Sequence, residues 1–315
     1  MGEFELIRQI FMPLAGQSGS AALLLGPGDD CAIQRVPPGQ DLVFSIDTLV
    51  EGIHFPHHYD AEKLGWRALA VAVSDLAAMG ADPRCFTLAL TLPEARREWL
   101  EAFARGLGSA AGAFGIVLAG GDTTRGPLTL SLQVHGTVPA GTALLRSGAQ
   151  AGDLVCVSGT VGDAGLALTY LDDPDPSADA AAVLKRYHFP MPRLELGRRL
   201  RGFASAAIDV SDGLLADLGH ILQASGVGAR IDGALVPLSE ALCRLSDHGR
   251  LRAAVTAGDD YELAVTIPEH RWRALADDVR EQLTVVGSVT TEQGLVIING
   301  DDVQGATGFD HFGDV

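Results

Sequence analysis

The sequence is short of positive charge and of aromatic side chains. It has 23 lysines and arginines against 40 aspartates and glutamates, which gives a formal net charge of -17. Nucleic acids and anionic membranes attract basic surfaces, so we expect neither as a partner. Aromatic residues make up 6% of the chain, whereas 47% is hydrophobic and 38 residues are glycine. This composition is typical of a compact, turn-rich α/β protein.

Cysteine and long apolar runs are also scarce. The four cysteines lie far apart in the sequence, so neither a disulfide scaffold nor a zinc ribbon is indicated; they are Cys31, Cys85, Cys156 and Cys243. Residues 1–8 carry two acids and no apolar signal core, and no window is long enough for a membrane span. We therefore expect a soluble, cytoplasmic protein.

Familiar nucleotide motifs are missing as well. The chain has no Gly-x-x-x-x-Gly-Lys-Ser/Thr loop and no set of protein-kinase signatures. Any nucleotide site must therefore be of another design.

Short apolar runs alternate with segments of helical periodicity, which predicts an α/β (α+β) fold. Because 315 residues exceed one average domain, two domains are expected. Residues 139–152 are rich in glycine and turn formers, so we place the boundary there and predict domains at 1–140 and 141–315. Residues 61–79 read as helix, although Asp75 could instead begin a second helix.

The most informative stretch is Ala119-Gly120-Gly121-Asp122-Thr123-Thr124-Arg125-Gly126, which follows an apolar run at 114–118. We predict a buried strand that ends in a turn, with Asp122 at its mouth. Alone it would be an ordinary turn. Four further segments deliver aspartates from apolar runs: Gly28-Asp29-Asp30, Ser45-Ile46-Asp47-Thr48, Ser74-Asp75-Leu76 and Asp209-Val210-Ser211-Asp212-Gly213. We expect these acids to gather where strands end.

Converging carboxylates need a counter-charge. Two of them about 4 Å apart repel by roughly 4 kcal/mol at an effective dielectric constant near 20. Hard divalent cations such as Mg²⁺ accept carboxylate oxygens together with substrate phosphates. Arg125 or Arg146 could bind phosphate oxygens in a bidentate manner. These features predict phosphoryl chemistry with several Mg²⁺ ions.

Taken in order, these segments resemble the thiamine-monophosphate kinase family. The resemblance runs nearly end to end and is carried by Gly28-Asp29-Asp30, Ser45-Ile46-Asp47-Thr48-Leu49-Val50, His54-Phe55, Ser74-Asp75-Leu76-Ala77-Ala78-Met79-Gly80, the Gly120–Gly126 segment, Arg146-Ser147-Gly148 and Asp209-Val210-Ser211-Asp212-Gly213. It implies transfer of the γ-phosphoryl group of ATP to thiamine monophosphate, which gives thiamine diphosphate. It also implies the two-domain fold shared with aminoimidazole ribonucleotide synthetase and selenophosphate synthetase. In that fold the amino-terminal domains pair in a homodimer, and the carboxyl-terminal domain completes the substrate site.

The resemblance assigns a role to individual positions. The implied Mg²⁺ ligands are Asp30, Ser45, the backbone of Ile46, Asp47, Asp75, Asp122, Asp209 and Asp212. The implied ATP contacts are Gly121, Asp122, Arg146 and Ser211, and the implied contacts to thiamine monophosphate are His54, Asp259 and Phe309. No acid or base catalyst is assigned, because the attacking phosphate oxygen is already ionised at neutral pH.

Two positions depart from the family pattern. Asp259 stands where the family usually has glutamate, and Phe309 keeps the ring but lacks a tyrosine hydroxyl. The alternatives are another ATP-dependent synthetase of the superfamily or a non-catalytic paralogue. Cys31 lacks the setting of a selenophosphate synthetase cysteine, and a paralogue would be expected to lose some of the acids.

Overall fold

The structure is a computed structural model that describes residues 7–15, 23–246, 250–300 and 303. The chain divides into two compact units. Unit 1 is Met1–Leu76 with Ala81–Gly141, and unit 2 is Ala77–Gly80 with Thr142–Val315.

Unit 1 is built on a mixed sheet and two long helices. Its elements are a π-helical turn at Ile7–Phe11, α1 (Met12–Ala15), β1 (Leu23–Leu25), β2 (Ile33–Gln34), β3 (Gln40–Val50), α2 (Ala61–Ala78), β4 (Asp82–Leu92), α3 (Arg97–Phe114), β5 (Val117–Arg125) and β6 (Thr129–Pro139). Within the described residues β3, β6, β4 and β5 form one sheet in that order, and β1 pairs with β2. The β4–β5 pair is parallel, while β3–β6 and β4–β6 are antiparallel.

Strand β3 lies at an edge of the sheet and has two different faces. Ser45, Asp47 and Leu49 alternate on its inner face, where burial increases towards Leu49. Phe44 and Ile46 lie on the opposite face and are 61% and 63% exposed. A single strand therefore carries polar groups on one side and an uncovered apolar surface on the other.

Helices α2 and α3 pack backbone to backbone, and glycine makes this possible. A Cβ atom on Gly106 would lie 1.8 Å from the Glu62 carbonyl oxygen, and one on Gly65 would lie 2.2 Å from the Phe103 oxygen. Gly106 therefore lies at a close helix–helix contact. Gly112, in the same helix, faces open space.

Unit 2 is built around a second sheet. Its elements are β7 (Leu154–Ser158), α4 (Asp163–Ala167), a 3₁₀ turn at Leu168–Tyr170, α5 (Ala178–His188), α6 (Leu194–Leu200), β8 (Ala206–Asp209), α7 (Leu214–Ser225), β9 (Gly228–Asp232), a 3₁₀ turn at Gly233–Leu235, α8 (Glu240–Leu245), α9 (Arg250–Thr256), β10 (Leu263–Ile267), α10 (Glu269–Ala274), α11 (Asp277–Arg280), β11 (Leu283–Thr290) and β12 (Gly294–Ile298). In the described part of the chain the sheet order is β12-β9-β11-β7-β10-β8. Only the β9–β12 pair is parallel among its described pairs. Buried valine, leucine and isoleucine side chains from this sheet and from α7 form the core.

The predicted turn at residues 119–126 is wrong, because β5 continues through the glycines to Arg125. Gly121 pairs with Leu88 of β4, and a Cβ on Gly121 would lie 2.0 Å from the Leu88 carbonyl oxygen. The glycine therefore permits close strand pairing instead of a turn. Asp122 is exposed within the edge strand β5.

The expectation that the acids gather at strand ends is also largely wrong. Asp47 lies inside β3 and Asp75 lies within the single helix α2, whereas Asp209 does end β8. The physical reason is that the β3 ladder continues past Asp47 to Val50 and the α2 helix continues past Asp75 to Ala78, so neither acid ends its element. In the described chain, no helix has the length and hydropathy of a membrane span.

The helix contact makes a prediction with an internal control. Gly106→Ala should lower the free energy of unfolding by about 1–3 kcal/mol, because the new methyl group meets backbone that cannot move aside. Gly112→Ala should raise it by about 0.5–1 kcal/mol, because alanine favours helix and the site is open. Urea denaturation of the two variants measures both effects. Equal destabilisation by both changes would contradict the close packing.

Candidate active site

Three predicted metal ligands occur together in unit 1. The Ser45 hydroxyl donates a hydrogen bond to Oδ2 of Asp75, so β3 and α2 are joined at this point. Asp47 lies two residues further along the same face of β3, about 7 Å from Ser45 by strand geometry. Ile46 points its side chain to the opposite, exposed face, so a role at this site falls to its backbone.

A cavity of about 770 Å³ lies in unit 1. The loop at residues 26–32 forms one side and contributes Asp29 and Asp30, while residues 118–123 of β5 contribute Gly121 and Asp122. Apolar side chains, including Phe11, complete the lining. Apolar walls with a few polar groups are typical of small-molecule sites. The cavity therefore brings together the predicted metal ligands Asp30 and Asp122 beside the bare backbone of Gly121.

The donors of unit 1 are hard oxygen atoms, which fit Mg²⁺ better than a transition metal. Within the described residues, however, no three His, Cys, Asp or Glu side chains gather as a metal-binding group. Mg²⁺ is commonly held by one or two carboxylates together with water and substrate phosphates, so donors in ones and twos suit it. The assignment of eight residues to the metal shell stays a prediction.

In unit 2, two of the predicted functional segments are joined by their backbones. The Asp259 amide donates to the Ser211 carbonyl at 2.9 Å, and the Tyr261 amide donates to the Val210 carbonyl at 2.8 Å. A Cβ on Gly258 would lie 2.1 Å from the Ser211 oxygen, so only glycine permits this approach. The structure thus places the predicted ATP contact Ser211 beside the predicted substrate contact Asp259.

The backbone around Asp259 is strained. Asp259 and Tyr261 have φ angles of +70° and +52°, a region that residues with side chains rarely adopt. The Tyr261 hydroxyl donates a hydrogen bond of 2.7 Å to Oδ1 of Asp259. Strained residues of this kind cost about 1–3 kcal/mol each and cluster at functional sites. The tyrosine therefore fixes both the position and the direction of the Asp259 carboxylate.

Glu262 is fully buried and anchors the segment at residues 259–262. Its carboxylate accepts hydrogen bonds from Ser158 Oγ at 2.5 Å, from Arg186 at 2.6 Å and from Arg193 Nε at 2.6 Å. Two guanidinium groups on one buried carboxylate supply the counter-charge that burial requires. The arginines come from α5 and from the residue before α6, so three parts of unit 2 are fixed to one side chain.

Asp260 is buried beside this ion-pair group and behaves differently. Its Oδ2 accepts from the Gly162 amide at 2.8 Å, while its Oδ1 has no hydrogen-bond partner among the described residues. Burial raises the pKa of Asp260 well above its usual value, and the neighbouring Asp163 and Glu262 carboxylates raise it further, although the Gly162 amide and Arg186 oppose this. Asp260 is therefore expected to carry a proton in the folded protein.

The other predicted contacts are placed as follows. His54 follows β3, and its Nδ1 accepts from the Val50 amide at 3.0 Å, so Nε2 carries the proton of the neutral ring. Arg146 is exposed, and its charge acts on Asp217 at the start of α7. Burial raises the pKa of Asp217 to about 7, and the Arg146 charge opposes a small part of that rise. Phe309 lies outside the described residues.

The sequence did not indicate the side chains that support residues 209–213 and 259–262 of unit 2. They are Arg186, Arg193, Asp217, Asp260, Tyr261 and Glu262. Asp260, Tyr261 and Glu262 follow directly after Asp259, an implied substrate contact, so the sequence did hold a signal for them. Arg186 and Arg193 lie about 70 residues away from it in sequence, and neither their spacing nor their type indicated a contact.

The comparisons with known proteins agree with this architecture. Residues 28–138 match the family model "AIR synthase related protein, N-terminal domain", and residues 150–299 match its C-terminal counterpart. The fold and its site therefore define an AIR synthase-related protein. The prediction of an α/β (α+β) two-domain fold is confirmed.

Individual relatives narrow the class further. Thiamine-monophosphate kinase of Escherichia coli K12 is 46% identical over 99% of this chain and 98% of its own length. The crystal structure of the Stenotrophomonas maltophilia K279a enzyme of the same name is 44% identical, with a TM-score of 0.86 over 94% of this chain and 96% of that one. The structure titled "AaThiL complexed with AMPPCP and TMP" is 32% identical, with a TM-score of 0.79 over 99% of this chain and 97% of that one. The chain belongs to the thiamine-monophosphate kinase family.

The buried Asp260 makes a prediction about pH. Because its folded pKa is raised, its contribution to stability is fully present below the unfolded value of 3.8 and is lost as pH rises towards the folded pKa. Each pH unit in that window costs the native state about 1.4 kcal/mol. Asp260→Asn resembles the protonated acid and should therefore gain stability relative to the unmodified protein as pH rises from 4 to 8. Denaturation at several pH values measures the difference, and a difference independent of pH would be contrary to this account.

Proposed function

We propose that this chain transfers the γ-phosphoryl group of ATP to the phosphate of thiamine monophosphate and forms thiamine diphosphate and ADP. The observation that carries the proposal is similarity over almost the whole chain to thiamine-monophosphate kinases, with every aspartate of the implied metal shell present. AMPPCP is an ATP analogue, so the ligand names of the related AaThiL complex support the same pair of substrates.

In the proposed enzyme, Asp30 and Asp122 would bind metal at the cavity of unit 1, and Gly121, which lines the same cavity, would contact ATP. Ser45, Asp47 and Asp75 provide further oxygen donors, and the Ser45–Asp75 hydrogen bond holds two of them in place. Bound Mg²⁺ would neutralise phosphate charge and align donor and acceptor. Within unit 2, the proposed metal ligands are Asp209 and Asp212, and the proposed ATP contacts are Ser211 and Arg146.

The transfer needs placement more than proton chemistry. The acceptor is a phosphate oxygen that is already ionised at neutral pH, so no side chain has to remove a proton. The proposed step is direct in-line transfer without a phosphoenzyme. His54, Asp259 and Phe309 contact thiamine monophosphate, and the hydrogen bond from Tyr261 holds the Asp259 carboxylate for that task. The shorter aspartate can serve in place of glutamate because its position is fixed.

We place the reaction in the cytoplasm, where ATP is available. All four cysteines are free thiols, which suits a reducing compartment.

The acceptor preference tests this function. ADP release by the purified full-length protein should require thiamine monophosphate and Mg²⁺, and should stay at background with thiamine or without an acceptor. Activity with thiamine but not with its monophosphate would overturn the substrate assignment.

A pair of substitutions in β3 tests the metal role within the same assay. Asp47→Asn should abolish turnover and leave the melting temperature nearly unchanged, because it removes a charged ligand and keeps the shape. Asp41→Asn, in the same strand, should retain activity, because an asparagine oxygen can still accept from the Gly141 amide. Near-normal turnover of the Asp47 variant would remove this residue from the metal shell.

We also propose that two copies pair through unit 1. Strand β3 lies at the sheet edge and exposes Leu42, Phe44 and Ile46 on one face. A row of exposed apolar side chains on an edge strand calls for cover, and a second copy of the same strand fits the pairing implied by the family resemblance.

Light scattering of purified variants tests the pairing. Phe44→Glu should shift the mass from dimer to monomer at micromolar concentration, because a charge would be buried at the centre of the interface. Leu168→Glu provides the matched control, because Leu168 of unit 2 is 54% exposed and lies on a short turn. A dimer that persists in the Phe44 variant would contradict the interface.

A further inference from the structure

Asp217 is a buried acid for which neither the sequence nor the family resemblance assigned a role. It lies in the first turn of α7 and is 2% exposed. Its Oδ2 accepts two backbone hydrogen bonds, from the Ser211 amide at 2.9 Å and from the Asp212 amide at 3.0 Å. Both donors precede the helix, in the turn that carries a proposed ATP contact and a proposed metal ligand.

Apart from Asp217, little supports the Ser211 and Asp212 amides of this turn. Gly213, the residue before the helix, has a φ of +107°, and it provides no side-chain cap. On the carbonyl side, by contrast, Val210 and Ser211 accept hydrogen bonds from the 259–261 segment. The Asp217 carboxyl thus fixes the amides of the turn, while the 259–261 segment fixes its carbonyls. With both sides fixed, the backbone direction of Ser211 and Asp212 is determined before any ligand binds.

Stabilisation of the helix end is a weaker explanation for this residue. An exposed acid in the first turn would interact with the helix dipole equally well and would avoid desolvation. Here burial is the main reason that the pKa of Asp217 is raised to about 7, with the Asp212 charge adding to it, while the two amides and Arg146 act in the opposite direction. Oδ2 can accept both hydrogen bonds whether or not Oδ1 carries a proton.

We propose that Asp217 is a positioning residue, whose carboxyl oxygen holds the Ser211 and Asp212 amides so that both side chains meet the Mg²⁺–ATP complex. The proposal rests on the function proposed above. Asp217 itself does not touch substrate or metal. Its effect on the reaction passes through the turn alone.

Three substitutions separate geometry from charge. Asp217→Asn keeps an acceptor oxygen and should leave the KM for ATP within threefold of the unmodified protein. Asp217→Ala removes the acceptor, and Asp217→Glu displaces it by one methylene, so both should raise the KM for ATP at least tenfold. The KM for thiamine monophosphate should change less than threefold in all three. If the alanine variant does not fold, the asparagine and glutamate variants still decide.

A matched control comes from the same unit. Asp153 is 5% exposed, and its Oδ2 accepts from the Gln150 amide at 3.0 Å and from Ser205 Oγ at 2.6 Å. Asp153→Ala therefore removes a buried acceptor of the same kind, which stabilises a different turn. It should lower the melting temperature while the KM for ATP stays unchanged.

Two readouts do not depend on turnover. Hydrogen exchange of peptides covering residues 206–216 should be faster in Asp217→Ala and close to normal in Asp217→Asn. Calorimetric binding of Mg²⁺–AMPPCP should weaken at least tenfold in the alanine and glutamate variants and stay within threefold in the asparagine variant. An asparagine variant as impaired as the alanine variant, or an alanine variant with faster exchange and unchanged nucleotide binding, would overturn the proposal. An unmodified protein that binds Mg²⁺–AMPPCP but shows no kinase activity would instead refute the proposed function.

Discussion

Repulsion between carboxylates is the constraint on which this structure depends. The chain has 17 more formal negative than positive charges, and it places Asp29, Asp30 and Asp122 around one cavity. Such a site repels a triphosphate unless cations lie between the two. The same constraint is met inside unit 2 in two other ways. Glu262 pairs with two arginines, and burial raises the pKa of Asp260 well above its usual value, which favours its protonated, neutral form.

Buried acids and exposed acids have different functions in this molecule. Buried carboxyls that have partners serve as anchors, because their hydrogen bonds tie distant segments to one point. Asp122 and Asp30, which are exposed at the cavity, remain available for a ligand. The strained backbone at Asp259 lies three residues before the anchor Glu262. The contacts of Glu262 therefore offset the energetic cost of that strain.

Much of this arrangement could be predicted from local patterns. The periodicity of residues 61–79 predicted α2 almost to the residue. The order of the motifs along the chain indicated the family. These successes share a cause, since helical spacing and short apolar runs are properties of neighbouring residues.

The failures concern strand pairing, which local patterns do not encode. The Gly120-Gly121 pair suggested a turn, yet the bare backbone of Gly121 serves the close approach of β4 to β5. The acids were expected at common strand ends, but Asp47 and Asp122 lie within strands that continue past them, and Asp75 lies within a helix. The role of Asp217 was missed for the same reason, because it depends on which amides its carboxyl meets in the fold.

Nucleotide binding with and without a divalent cation tests the central claim most directly. Titration calorimetry of the full-length protein with AMPPCP should show binding in the presence of Mg²⁺ and an affinity at least 100-fold weaker when the metal is removed by EDTA. Restoring Mg²⁺ should restore the affinity. Equal binding of the analogue with and without metal would show that the carboxylates do not act through a cation, and the account would be wrong.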